Sequence, residues 1–241
     1  QIISEIPEAG LRIVLCDFSI QDEIRKAAAV ITRDYEKIDV LINNHGFLAN
    51  KFEETVDGLE STFAVNHIGY FLFTHLLLPN IKSAEKARIV NVASEAHRGG
   101  RFIPNNLQLK DGFNYWNAYG NSKLFNILFT IELASRLKDT EVTANAVHPG
   151  VVASNFAQNG YGFINLFFKI FKPFLKSNRE GAETSIYVAS SPEVEGVSGA
   201  YFKDLKVATP RKNALDIVAA QKLWVISEEL CGLNGEPQIT H

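Results

Sequence analysis

Short apolar runs alternate with longer stretches of helical periodicity along this chain. The apolar runs are bounded by glycine, proline or polar residues, a pattern typical of strands buried inside a sheet. The predicted strands are Leu11–Asp17, Asp39–Asn43, Ala87–Ala93, Val142–Val147 and Gly199–Phe202. The predicted helices are Gln21–Tyr35 with Ser19 as its N-cap, a helix from Thr55 or Asp57 to Leu78 stopped by Pro79, a helix that follows Asn114 and ends near Lys138, Arg179–Ser190, and Asn213–Leu230.

This alternation of strands and helices predicts crossover connections and a mostly parallel sheet with helices on both faces. The length of 241 residues suits one large α/β domain, and the sequence contains no internal repeat and no low-complexity linker. We therefore predict a single three-layer α/β domain over residues 1–241.

Polar residues and Gly/Pro turns follow four of the predicted strands. They are Asp17, the turn Asn43–Gly46, Ser94, and the pair Pro149 and Gly150. In parallel sheets, ligands bind beyond the carboxyl ends of the strands. One polar residue at such an end would be an ordinary cap, but four at one edge favour a functional site.

Tyr119 and Lys123 lie four residues apart within a helical pattern, so they share one helix face. A lysine ammonium beside a phenol favours the phenolate, and we expect it to lower the tyrosine pKa. Such a pair can donate and accept a proton during carbonyl or alcohol chemistry.

The overall composition is that of a globular protein, with 46% apolar and 21% charged residues. The net charge of −3 gives no electrostatic basis for binding nucleic acid. The two cysteines form neither a disulfide framework nor a metal cluster, which suits a reducing, cytoplasmic compartment. His45, His97 and His148 lack metal-ligand spacing, so we interpret them as local hydrogen-bonding residues and predict no metal.

Five motifs occur in order at compatible spacings. They are Asn43-Asn44-His45-Gly46, Asn66, Ser94 in Asn91-Val92-Ala93-Ser94, Tyr119-x-x-x-Lys123, and the turn Pro149-Gly150-Val151-Val152. Their order and spacing resemble those of the short-chain dehydrogenase/reductases. The segments Ser94-Glu95-Ala96-His97 and Val147-His148-Pro149-Gly150 are similar to the retinol dehydrogenase-like branch of that family. The resemblance implies a Rossmann-type, doubly wound fold.

The resemblance also implies roles for four catalytic residues. Tyr119 would pass a proton to or from the substrate oxygen, and Ser94 would hydrogen-bond that oxygen. Lys123 would bind the nicotinamide ribose and lower the Tyr119 pKa. Asn66 would anchor a water that continues the proton relay. The implied activity is hydride transfer between NADP, or alternatively NAD, and a small apolar carbonyl or alcohol.

The implied cofactor site extends along the same sheet edge. Asp17 would contact the adenine end, and Asn43 with Gly46 would let the cofactor approach the backbone. The turn with Pro149, Gly150 and Val152 would meet the nicotinamide, beside Tyr119 and Lys123.

The aromatic-rich stretch Gly162–Phe174 falls where the family places its substrate lid, within residues 155–178. It is too short to span a bilayer. One interpretation is a helix that packs its apolar side on the core. The other is a lid over an apolar substrate that makes peripheral contact with a membrane.

The sequence contains no methionine and no Gly-x-x-x-Gly-x-Gly phosphate loop. We therefore expect that the family's first strand, helix and second strand are missing, and that this chain alone binds dinucleotide poorly. The alternatives to an active enzyme are a non-catalytic binding or regulatory module and an inactive fragment. A homodimer is predicted, because the helices that end at Pro79 and carry Tyr119 lie where such folds commonly pair.

Overall fold

The computed structural model describes residues 2–150 and 178–233. Its sheet contains five strands in the order β1-β2-β3-β4-β5. The strands are β1 Val40–Asn43, β2 Arg88–Val92, β3 Thr143–His148, β4 Tyr201–Lys203 and β5 Lys206–Ala208. β1 to β4 run parallel, and β5 returns antiparallel against β4. The mostly parallel sheet is confirmed, whereas β5 was not predicted.

The described part of the chain contains six α-helices. They are α1 Ile2–Glu5, α2 Gln21–Asp34, α3 with its consecutive parts Ser61–Phe63, Ala64–Ile68 and Gly69–Lys82, α4 Tyr115–Arg136, α5 Asn178–Ser190, and α6 Ile217–Leu230. The middle part of α3 is a π-helix. The predicted lid, residues 155–178, lies outside the described residues except for Asn178, the first residue of α5.

Alternate residues of the strands face two separate cores, as the pleat requires. On one face, Ile89 of β2 belongs to a large core shared with α2, α3, α4 and α6. On the other face, Val90 and Val92 pack with Val147 and with Val188 of α5. Helices on both faces confirm the doubly wound Rossmann-type α/β fold.

The predicted first strand, Leu11–Asp17, is not a strand in the structure. Ile13 and Leu15 are 85% and 87% exposed. A strand needs a hydrogen-bonded neighbour, and within the described residues β1 pairs only with β2. β1 is therefore an edge strand, and its Val40 and Ile42 are each 42% exposed.

The start of α2 is capped differently from the prediction. Ser19 is not the N-cap, because Ile20 occupies that position. The Asp17 carboxylate instead accepts hydrogen bonds from the Ser19 backbone and hydroxyl at 2.8 and 2.7 Å. Asp57, which is distant in sequence, accepts from the Gln21 backbone N–H at 2.8 Å. A tertiary contact thus supplies the partner that a local cap would have given.

The predicted boundaries of α3 were wrong at both ends. The helix begins at Ser61, because the buried Glu60 carboxylate accepts from the backbone N–H groups of Thr62 and Phe63. The helix also continues past Pro79 to Lys82. A proline in the last turn removes only one backbone hydrogen bond, and Ile81 beyond it is buried in the core.

The closing helix α6 begins later than predicted. Its N-cap is Asp216, whose carboxylate accepts from the Ala219 backbone N–H at 3.0 Å. The residues before it, Lys212–Leu215, form a short 3-10 turn. No helix in the two described ranges is long and apolar enough to cross a membrane.

Candidate active site

Tyr119 and Lys123 lie in the second and third turns of α4. Asn114 caps this helix by accepting hydrogen bonds from the backbone N–H groups of Trp116 and Asn117 at 3.0 and 3.1 Å. The cap fixes the start of the helix, so both residues face β2 beyond its carboxyl end. The predicted pair therefore shares one helix face.

The Lys123 ammonium is buried under two aromatic rings. It lies 5.6 Å from the Tyr119 ring centroid and 5.8 Å from that of Tyr70. Its Nζ donates to the backbone carbonyl of Val92, the last residue of β2, at 3.0 Å. Burial lowers the pKa of Lys123 to about 7.

The Tyr119 phenol is hydrogen-bonded to the Ser94 side chain. Burial raises the pKa of Tyr119 to about 12, although the Ser94 hydrogen bond acts in the opposite direction. The expected lowering by Lys123 is not found. The reason is that burial penalises the charge on both members of the pair, and the ammonium is directed to Val92. Tyr119 is a protonated phenol at neutral pH and can donate its proton.

Ser94 follows β2 and opens a 3-10 turn, Glu95–Gly99. Its hydroxyl oxygen accepts from the Ala96 backbone N–H at 3.2 Å. The end of this turn packs directly on α4. A Cβ atom at Gly100 would lie 2.5 Å from the Gly120 carbonyl oxygen, so only glycine permits this approach. The Gly100–Gly120 contact brings Ser94 to Tyr119, and sequence patterns did not identify it.

Asn66 lies in the π-helical part of α3 and is fully buried. Its amide exchanges two hydrogen bonds with the backbone of Phe47, at 2.7 and 2.8 Å. It also donates to the Ser122 hydroxyl at 3.0 Å, next to Lys123. Asn66 thus links the segment after β1 to α4. Its predicted water-anchoring role stays a prediction.

Asn43 ends β1, and its side chain points into the protein. Its amide donates to Thr74 Oγ1 and to Asn91 Oδ1, each at 2.8 Å. Asn91 donates onward to Thr130 Oγ1 at 3.0 Å. These hydrogen bonds connect β1 and β2 to helices α3 and α4, so the described contacts of Asn43 support the sheet edge.

Tyr70 is a site residue that the motifs did not identify. Its hydroxyl donates to the carbonyl of His45, in the turn after β1, at 2.6 Å. Its ring also covers the Lys123 ammonium. The next residue of the turn, Gly46, is half-buried. Helical spacing could have placed Tyr70 one turn after Asn66. However, nothing in the sequence distinguishes it from a tyrosine that only packs in the core.

Asp17, Pro149 and Gly150 are the remaining predicted cofactor residues that the structure describes. Asp17 is exposed, and the hydrogen bonds from Ser19 hold its pKa below the usual value. Pro149 and Gly150 follow β3, and Gly150 has a φ of 88°, which favours glycine. Val152 lies outside the described residues. Within the described ranges, no group of three or more His, Cys, Asp or Glu side chains could hold a metal ion.

Comparison with known proteins agrees with this geometry. A model of the short chain dehydrogenase family matches residues 1–161. Retinol dehydrogenase 12 of Mus musculus is 42% identical over 220 residues, which are 91% of this chain and 69% of the relative. Retinol dehydrogenase 14 of Homo sapiens is 43% identical over 237 residues, which are 96% of this chain and 67% of the relative.

Two solved structures share the fold. The crystal structure of an uncharacterised protein from Mycobacterium paratuberculosis superposes with a TM-score of 0.71 at 30% identity, covering 90% of this chain and 74% of that one. A variant of actinorhodin polyketide ketoreductase, solved with NADPH, superposes with a TM-score of 0.62 at 25% identity, covering 83% of this chain and 79% of that one. The family match, the relatives and the fold together show that this chain belongs to the short-chain dehydrogenase/reductase family, in its retinol dehydrogenase-like branch, and is an oxidoreductase that acts on CH–OH groups.

Proposed function

We propose that this protein transfers hydride between a nicotinamide dinucleotide and an apolar carbonyl or alcohol, with Tyr119 as general acid and base. The observation that carries the proposal is the hydrogen bond between Ser94 and the Tyr119 phenol, with the Lys123 ammonium under the same ring. A protein that only binds ligands has no need to bring these three groups together.

The residues at the sheet edge fit the nicotinamide end of such a cofactor. A lysine ammonium has three N–H donors, and the hydrogen bond from Lys123 to the Val92 carbonyl uses one. The others can bind the hydroxyls of a ribose. Gly150, just after β3, has a positive φ that lets the backbone turn sharply there. When bound, NAD(P)H supplies a hydride to the substrate carbon.

During reduction, Tyr119 gives its phenolic proton to the substrate oxygen as the C=O bond becomes a C–O single bond. Ser94 donates a hydrogen bond that holds this oxygen and the tyrosine oxygen within reach of each other. The charge left on the phenolate is stabilised by Lys123 in its protonated form, whose Nζ lies 5.6 Å from the Tyr119 ring centroid. During oxidation, the same residues act in reverse, and Tyr119 removes the alcohol proton.

NADP is the proposed cofactor in preference to NAD, and a retinal-like or aliphatic aldehyde is the proposed substrate. The first choice is supported by the related ketoreductase solved with NADPH. The second is supported by the names of the similar retinol dehydrogenases and by the aromatic stretch Gly162–Phe174. A homodimer, a cytoplasmic location and peripheral membrane contact by the predicted lid belong to this proposal.

The test is NADPH and NADH oxidation with a panel of retinal-like and aliphatic aldehydes. It uses this chain and a fusion that places a family phosphate-binding strand–helix–strand unit ahead of Gln1, because the sequence contains no Gly-x-x-x-Gly-x-Gly loop. We expect turnover in the fusion, with NADPH preferred, and weak or no turnover in the chain alone. Cofactor binding without turnover in either protein would overturn the enzymatic proposal in favour of a regulatory module.

A further inference from the structure

His97 is a buried histidine in the 3-10 turn that follows Ser94, outside the catalytic residues described above. Both ring nitrogens have backbone partners. Nδ1 lies 2.6 Å from the Ser94 carbonyl oxygen, and Nε2 lies 3.1 Å from the Arg211 backbone nitrogen. His97 therefore connects the residue that contacts Tyr119 to the segment before α6.

The chemistry of the two partners fixes the tautomer of His97. A carbonyl oxygen can only accept, so Nδ1 must carry the hydrogen. The Arg211 backbone N–H can only donate, so Nε2 must be the unprotonated acceptor. Burial lowers the pKa of His97, which agrees with a neutral ring.

His97 holds the Ser94 carbonyl with two donors. Besides Nδ1–H, its backbone N–H donates to the same oxygen at 3.0 Å. The ring is held in turn by Tyr201, whose ring centroid lies 5.2 Å away in an edge-on arrangement. The Tyr201 hydroxyl donates to Glu95 Oε1 at 2.8 Å. Contacts on both sides thus fix the backbone of this turn.

We propose that neutral His97 is a positioning residue that orients Ser94 toward Tyr119 through the Nδ1–H hydrogen bond to the Ser94 carbonyl. This inference rests on the proposed function for the role of Ser94. If the ring loses this hydrogen bond, the Ser94 backbone can rotate and the hydroxyl moves away from the phenol. A displacement of this kind reduces catalysis without touching the substrate.

Two substitutions separate positioning from simple support of the fold. In His97→Asn the amide nitrogen is attached to Cγ, as Nδ1 is, so it can still donate to Ser94. In His97→Gln the amide is one bond further out, as Nε2 is. It can therefore accept the hydrogen bond from the Arg211 N–H, but the hydrogen bond to the Ser94 carbonyl is lost. Each variant leaves one backbone group without its partner, so we expect similar losses of melting temperature.

The readout that does not need activity is the NMR resonance of Tyr119 Cζ in tyrosine-labelled protein, assigned with Tyr119→Phe. We expect Ser94→Ala and His97→Gln to move this resonance in the same direction, and His97→Asn to leave it near the wild-type position. In the Ser94→Ala background, His97→Gln should add no further shift. If Asn and Gln move it equally, or Gln does not move it, the inference is wrong.

In the active fusion, we expect His97→Gln to lower kcat about tenfold or more, and His97→Asn to stay within about threefold of wild type. Absence of turnover in the wild-type fusion would count against the proposed function alone, since the Tyr119 resonance still tests His97. If His97→Gln does not fold, an NMR measurement on the wild-type protein tests the inference instead. A through-hydrogen-bond coupling between Nδ1 and the Ser94 carbonyl carbon is expected, and a ring protonated on Nε2 instead would overturn the inference.

Discussion

The Lys123 ammonium donates to the backbone carbonyl of Val92 at 3.0 Å, while the Tyr119 ring lies above it with its centroid 5.6 Å away. The carbonyl oxygen of Val92 also accepts from Asn126 at 3.1 Å. The end of β2 therefore anchors the lysine. Burial favours the uncharged form of both Lys123 and Tyr119.

This burial predicts that Lys123 destabilises the free protein at neutral and acidic pH. Burial lowers the pKa of Lys123 from 10.5 to about 7. Between these values the unfolded chain binds the proton and the folded chain does not, so stability rises with pH across that window. Lys123→Met should raise the free energy of unfolding at about pH 6 by at most about 5 kcal/mol, and by less at about pH 9.

Urea denaturation at both pH values measures this effect, with Lys222→Met as the control because Lys222 is exposed on α6. A stabilisation by Lys123→Met that does not shrink at the higher pH would contradict the assigned pKa. A loss of stability at both pH values would show that the Val92 hydrogen bond outweighs the cost of burial.

Gly100 and Gly99 offer a matched test of the contact that positions Ser94. In Gly100→Ala the new methyl group clashes with the Gly120 carbonyl. This clash must displace the turn from α4. We expect the free energy of unfolding to fall by about 1–3 kcal/mol. We also expect the fold-decrease in kcat to exceed the fold-increase in KM. Gly99→Ala meets no atom within 4 Å and should change stability by less than about 0.5 kcal/mol. Equal effects of the two substitutions would refute this account.

Asn43 and Asn44 test the hydrogen-bond chain at the end of β1. Asn43→Asp replaces an amide donor with an acceptor that faces Asn91 Oδ1, and Asn91 cannot simply turn over because its own amide donates to Thr130. We expect a loss of about 2–4 kcal/mol at neutral pH. The loss should shrink in acid, because the protonated carboxyl can donate and its folded-state pKa is raised by burial.

Asn44→Asp is the control, because Asn44 is exposed at the adjacent position. Denaturant titrations at about pH 4.5 and about pH 7.5 give the comparison. A loss at Asn43 that matches the control, or that grows in acid, would argue against the assigned donor and acceptor roles.

Most of the fold could be predicted because the hydrophobic pattern within each apolar strand and each periodic helix indicates its structure. β2, β3, α2 and α4 lie within about two residues of their predicted bounds. Errors arose where a residue distant in sequence determines whether an element forms or where it begins and ends. Leu11–Asp17 has strand character but pairs with no strand of the described sheet. Asp57 rather than Ser19 serves the start of α2, and core packing carries α3 past Pro79.

The site was predictable to the level of residue types and spacing, but less so in its electrostatics. Spacing placed Tyr119 and Lys123 on one face, and the structure brings Ser94 to them. The direction of the tyrosine pKa could not be foreseen, since burial is set by the packed fold. The Gly100–Gly120 contact and the role of Tyr70 also depend on which surfaces meet in three dimensions.

The measurement that tests the central claim most directly compares Tyr119→Phe with Tyr115→Phe in the fusion, using NADPH and an apolar aldehyde. Both substitutions remove one phenolic oxygen from α4, but only Tyr119 contacts Ser94 and Lys123. We expect Tyr119→Phe to lower kcat at least about 100-fold with cofactor affinity unchanged, and Tyr115→Phe to retain wild-type turnover. Turnover that survives Tyr119→Phe would contradict its assignment as the general acid and base.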